Sequence, residues 1–465
     1  MEKLLVYLKT FSTDEMREFI AFVGGKSKTK LSLFLEYLEK NHPVFPPKKM
    51  EKEVIAQKLF ASKCTRIINN LTTRLMPFVK EFVIQKELEY CPIEKDRLFL
   101  KALKRRQLGD KFFKEAEKAE KNCKKEETMA GIERFHDLSQ IQRMCLNHPN
   151  FGGEKILLET KKLIHAIDVY YFATKLYLGA SFLNSGYAVK DRPTDLDALL
   201  YPVSELVAFV KDKEIGKIPQ IKLLSQIFES LKNKNFKDKK FLKDEFINSI
   251  ELYTKGEKSD IVSFLSQIFF EDYKSGTKGS LVVLHELNSF SVNRGIVLED
   301  GYIAADLFQN IVSIACAVKE FEWAEEFIKD YSTCLKKTDR SDTYLICKAK
   351  MHLNKKEYDK VIKTLKQRHF DTEYNGAIAR MRKLQAYFHL DNDEDFDNLI
   401  HSFREFLSNR VKLSECLDRS FRNFIIFIRK LYDSKYMQNI CKTKLKKNIE
   451  DCSQIVSKSW LLEQL

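Results

Sequence analysis

Phe321-Glu-Trp-Ala324-x3-Ile328, Tyr358-Asp-Lys-Val361-x3-Leu365 and Phe396-Asp-Asn-Leu399-x3-Phe403 are one pattern written three times. An aromatic leads, a small or aliphatic residue follows three later, and a larger apolar residue follows four after that. The copies stand 37 and 38 residues apart. A fixed period of this size predicts stacked helical hairpins, because one hairpin cannot bury its apolar face alone. Each copy is preceded by a second apolar helix pattern: Ile311 to Val318, Tyr344 to Leu353, and Ala377 to Leu390. The connectors Lys319-Glu320, Asn354 to Glu357 and Asp391 to Asp395 are short and polar, as an antiparallel helix turn needs. Ala315, Ala317, Ala349 and Ala386 are small enough to let the paired helices approach closely. The layout resembles a tetratricopeptide repeat, but the period is longer and no proline follows the second helix. An ordinary bundle with coincidental spacing is the competing reading.

Composition points the same way. The chain has 465 residues, 44% apolar and 12% aromatic, with 35 Phe. That is ample material for a core and excludes global disorder. It has only 15 Gly and 9 Pro, none of the prolines after Pro219, which is too little turn punctuation for a β-rich fold. The expectation is an all-α chain. Its parts would be a compact helical unit over 1–90, irregular helical repeats over 91–300, tetratricopeptide-like repeats over 301–410, and capping helices over 411–465. Together these would make an α-solenoid.

The net charge of +14 permits an acidic partner without demanding one. Much of the lysine excess lies in mixed-sign runs such as Lys111 to Glu127, where helix faces meet water. Ten cysteines are scattered with no C-x-x-C pair, which suits reduced thiols in a cytoplasmic protein. Leu4 to Leu8 is too short for a signal peptide, and no run reaches the ~20 apolar residues of a membrane span.

At the start of the chain, Ser12 and Glu15 read as a capping box flanked by Phe11 and Met16 as a hydrophobic staple, opening a helix that stops at Gly24-Gly25. Helices follow at Leu31 to Glu39, Val54 to Phe60 and Thr65 to Glu89. The last would kink at Pro77 and carry the stripe Ile67, Ile68, Leu71, Leu75, Phe78, Phe82 and Ile84. "LKTFSTDEMREFIAFV", "LFLEYLEKNHP" and "EFVIQKELE" in this region, with "NIVSIACAVKEFEWAEEFIKDY" and "KKEYDKVIKTL" later, resemble a family of long all-helical proteins from Bacteroidetes. The resemblance implies an all-helical chain and supplies no catalytic residues. One departure is the segment Gly24 to Lys30, where that family has a longer loop. Beyond Pro92 the pattern predicts further helices, including one long helix or a tight pair over Ile156 to Leu183.

Catalytic motifs are absent from the sequence. Gly24-Gly25-Lys26-Ser27 resembles the tail of a phosphate loop, yet the required first glycine falls on Ile20, inside a helix. His285-Glu286 opens a zincin-like string whose second histidine falls on Ser289. A non-catalytic protein with no cofactor and no metal is the expectation. Two functions remain. The first is a protein-interaction scaffold, binding a protein or peptide on the concave face of the solenoid through the first helices of the hairpins. Its candidate contacts are Lys348, Lys350, Arg380, Arg382 and Lys383, taken as exposed and suited to an acidic partner. The second, less favoured, is a nucleic-acid-binding regulator that uses Arg66, Asn69, Asn70 and Arg74 on the long helix of a helix-turn-helix-like unit, helped by basic clusters at Lys101 to Arg106 and Lys442 to Lys447. No membrane partner is expected.

Overall fold

A computed structural model describes residues 1–24, 29–124, 131–186, 196–235, 239–366, 370–409, 413–436 and 441–465. Among them there are 23 α-helices and no strand, so the chain is all-α. Packing divides it into two compact units. One comprises Met1–Met129 with Glu133–Tyr170, and the other comprises Ala130–Ile132 with Tyr171–Leu465.

The first unit opens with α1 (Glu2–Leu8), α2 (Thr13–Val23), α3 (Lys30–Asn41), α4 (Lys52–Phe60) and α5 (Arg66–Tyr90). The expected capping box is present: Glu15 donates its backbone N–H to Ser12 Oγ at 3.1 Å, and Ser12 N–H returns to Glu15 Oε2 at 2.7 Å. Phe11 and Met16 are both buried beside it. Gly24 ends α2 at φ +84°, a left-handed C-cap that glycine adopts without a Cβ penalty. Residues 25–28 of the proposed loop lie outside the described residues. The other helices of this group pack on α5, whose Phe82 meets Phe11, Phe19 and Phe22 at ring distances of 5.4–5.8 Å. The α5 stripe differs from the expectation. Ile68, Leu71, Leu75, Val79 and Phe82 are buried, whereas Phe78 and Ile84 face outward. The true register steps by three and four through Val79, the period of a straight helix. Four further helices follow: α6 (Pro92–Arg105), α7 (Gly109–Lys124), α8 (Glu133–Leu146) and α9 (Lys155–Gly186). The last is a single 32-residue helix, not a pair.

Unit two continues from the end of α9 through α10 (Leu196–Val210), α11 (Pro219–Lys232), α12 (Phe241–Asn248), α13 (Lys255–Lys274) and α14 (Ser280–Asn293). Three hairpins come next: α15 (Ala305–Ala317) with α16 (Phe321–Tyr331), α17 (Lys337–Asn354) with α18 (Tyr358–Thr364), and α19 (Glu373–Leu390) with α20 (Asp393–Asn409). The chain closes with α21 (Glu415–Tyr436), α22 (Lys442–Asp451) and α23 (Lys458–Glu463). Residues 452–457 separate α22 from α23, and 437–440 lie outside the described residues.

The first two turns match down to their hydrogen bonds. Lys319 and Lys356 are left-handed at φ +69° and +61°. Lys319 N–H bonds Cys316 O and Glu320 N–H bonds Ala315 O; Lys356 N–H bonds Leu353 O and Glu357 N–H bonds His352 O. These are two Schellman caps, each made without glycine. Asp391 is the left-handed residue of the third turn, at φ +50°, and like the others it stands two residues before the next helix. The aromatic of the third copy sits deeper in its helix than in the first two. Consequently Ile400, rather than Leu399, joins Phe396 and Phe403 in the core. Ala324, Ile328, Val361 and Leu365 are all buried as expected, and so are Ala315, Ala349 and Ala386. Ala317 is exposed, and Cys316 takes the packing place. Each helix of this series packs on the next, and the first helices pack on one another: α15 on α17, α17 on α19, and α19 on α21.

Candidate functional site

The five basic residues of the repeats do not form one exposed patch. Arg382 is 6% exposed and donates Nη1 to the carbonyl of Ile346 on α17. Its place in the sequence suggested an outward side chain, but α17 lies directly against that side of α19. Lys350 is half-buried near it, and Cys316 of α15 and Cys347 of α17 complete a cluster where three first helices meet. Arg380 turns toward α20 instead. Its guanidinium lies 4.0 Å from the Phe406 ring centroid and donates to Gly376 O at 3.1 Å. Lys383 is half-buried, its pKa lowered first by burial and then by Arg380. Lys348 lies over the Tyr344 ring at 5.1 Å on the opposite side of α17 from Lys350.

Lys350 and Arg382 are therefore the pair that converges, and no carboxylate of the described residues lies within ion-pair distance of either. Burial, then the neighbouring Arg382, holds the Lys350 ammonium down to a pKa of about 8; Glu463 acts weakly in the other direction. Burial also lowers Arg382. A desolvated cation without a counter-charge is costly, so this pair is a local destabilisation that a bound anion would relieve. The two thiols contribute no reactivity, because burial pushes Cys347 up to about 12 and raises Cys316 as well.

Residues 452–463 lie across the neighbouring part of the same row. Gln385 Nε2 donates to Ser457 Oγ at 2.9 Å, and Asn423 Nδ2 donates to Gln454 O at 2.7 Å. Trp460 meets Phe388 of α19 at 5.4 Å and Phe424 of α21 at 6.3 Å, and Leu461 is fully buried. A short amphipathic helix is thus seated on the first helices.

Where the row continues toward α13, a cavity of about 810 Å³ opens within the second unit. One face of α13 lines it with Ser259, Ser263, Ser266 and Gln267. The opposite wall is Leu307, Ile311 and Ile314 of α15, with Asn310 at the edge. Asn288 of α14 also lines it; it is 5% exposed, and its Nδ2 has no hydrogen-bond partner among the described residues. Asp260, Glu271 and Lys274 stand around the polar side. Asp260 accepts from Tyr177, and Glu271 accepts from Gln267 and Lys274. Sequence reasoning missed this cavity. Its polar wall alternates serines with core residues along α13, which reads as an ordinary solvated face until α15 is placed opposite.

In the first unit, Arg66, Asn69, Asn70 and Arg74 are all exposed on the opening turns of α5. Arg66, Asn70 and Arg74 fall at four-residue spacing and so share a face. Among the described residues no helix is long and apolar enough to cross a membrane, and no group of three His, Cys, Asp or Glu is placed to hold a metal ion. Compared with protein families, curated proteins and solved structures, the chain shows no match.

Proposed function

We propose that this protein is a non-catalytic interaction scaffold, a solenoid of tetratricopeptide-like hairpins whose first helices dock a protein or peptide partner. Kinship with the Bacteroidetes helical proteins is part of this reading and rests on the sequence stretches quoted above. One observation carries it: Lys350 and Arg382 come together at the contact of the first helices with no carboxylate of the described residues within ion-pair distance. A partner's acidic side chain reaching half-buried Lys350 would supply the missing charge. The helix Lys458–Glu463, already seated on α21 beside α19, supports a helical binding mode on this row.

The test is a fluorescence-anisotropy titration of the full chain with a labelled amphipathic helical peptide carrying Leu and Glu at helical spacing. Binding that weakens with salt is expected, and Lys350→Glu should weaken it at least tenfold. Lys348→Glu with Lys383→Glu should change it little, since neither side chain points toward Arg382. An affinity indifferent to Lys350→Glu would remove the basis of the proposal. The nucleic-acid reading keeps one favourable observation, the shared exposed face of Arg66, Asn70 and Arg74, and a DNA titration decides it.

A further inference from the structure

We infer that the cavity between α13 and α15 is a second binding site on the first-helix row, and that it takes an extended, uncharged or basic peptide segment through its main chain. The reading goes beyond the acidic anchor at Lys350 and rests on different residues. Asn288 presents a buried amide donor that no described residue accepts. An unbonded buried donor facing a cavity is costly, and an acceptor oxygen from an occupant would satisfy it. A carbonyl suits it better than a carboxylate, because Asp260 adds acid to the same rim beyond the Glu271–Lys274 ion pair.

The two walls differ in the way an extended chain requires. Serine hydroxyls and a carboxamide of α13 can meet peptide N–H and C=O groups, while Leu307 and Ile314 offer apolar surface to alternate side chains. The lining runs along α13 from Ser259 to Lys274. At a rise of ~1.5 Å per residue this is roughly 22 Å, the reach of about six or seven extended residues. A polar cavity of this size holds water when vacant, and a peptide carbonyl reproduces the bond such a water would make to Asn288.

The probe is a pool of fluorescein-labelled, acetylated and amidated octapeptides with Leu or Val at alternate positions and Ser or Lys between them. It is titrated against the full chain by anisotropy. Saturable binding is expected, at least tenfold weaker for Asn288→Leu. The melting temperature of that variant should be unchanged or raised, because an unpaired buried donor has been replaced by an apolar group of similar size. Ser263→Trp changes an exposed position, fills the cavity and should abolish binding without loss of helix. A backbone N-methylated pool and a pool with Asp in place of Lys should both bind worse. The inference fails if no pool binds, if Ser263→Trp or N-methylation leaves affinity unchanged, if the Asp pool is preferred, or if a single capped amino acid competes as well as the octapeptides. Should the octapeptides fail while the acidic helical peptide still binds in a Lys350-dependent way, this inference falls and the scaffold proposal stands. The reverse pattern would retain the groove and remove the acidic anchor.

Discussion

Lys350 illustrates how one residue can be set against stability. In the unfolded chain its ammonium keeps the ordinary value of 10.5, while burial and Arg382 hold the folded value near 8. Between these values the unfolded state binds more protons, so the folded state gains stability as pH rises through that window, and below pH 8 the full penalty is present. Lys350→Met should therefore melt higher than the parent at pH 7, with an advantage that shrinks from pH 8 to 10.5. Thermal melts across that range check it, and an advantage independent of pH would mean that the ammonium is well solvated. Arg382 differs because its guanidinium has a carbonyl to bond, Ile346 O on α17. Removing it would leave that acceptor and an arginine-sized void, so Arg382→Ala should destabilise where Lys350→Met stabilises.

Turns and helix contacts are settled at the scale of the element. Lys319 and Lys356 hold left-handed backbone conformations that cost an L-residue roughly 1 kcal/mol, although the Schellman bonds around them are complete. Lys319→Gly and Lys356→Gly should each raise stability by about 0.5–1 kcal/mol, read as a shift of the denaturation midpoint with an unchanged slope. A loss of stability in both would mean that the lysine side chains make contacts worth more than the backbone strain. Ala324 and Val361 occupy equivalent positions in α16 and α18 and are both fully buried. Ala324→Asp and Val361→Asp each place an unpaired carboxylate in the core and should cost ~3 kcal/mol or more, visible as aggregation or a large drop in melting temperature. Variants that melt within a degree or two of the parent would show that these helix faces are open to water.

At the scale of the whole molecule, the net charge of +14 ensures some attraction to any polyanion. Weak binding to random duplex DNA at low salt is therefore expected and is no evidence of function. If α5 made real phosphate contacts, Arg66→Ala with Arg74→Ala would lower the affinity and reduce the salt slope by about one per lost contact. The scaffold reading predicts instead that the double variant matches the parent and that both lose DNA at physiological salt. Sub-micromolar binding that survives that salt and depends on the two arginines would reverse the order of the two proposals.

The sequence by itself determined the all-α class and the places of α2 to α5 and of the repeat helices, because both depend on short-range regularities. Helical spacing of apolar residues, the Ser12–Glu15 box and the connectors at Lys319 and Lys356 are all written within a few residues of where they act. The buried repeat positions Ala324 and Val361 were legible for the same reason. Exposure of the candidate binding residues in the repeats was not. Whether Arg380, Arg382 and Lys383 point outward depends on which neighbour covers each side of α19, and a chain pattern carries no record of that. Tertiary structure alone turned Arg382 inward against α17, sent Arg380 to Phe406 of α20, and seated residues 452–463 on a face that sequence spacing had left open. It also set the serine face of α13 across from α15 and buried Asn288 beneath it. A cavity belongs to the gap between elements, and only their three-dimensional placement decides where that gap falls.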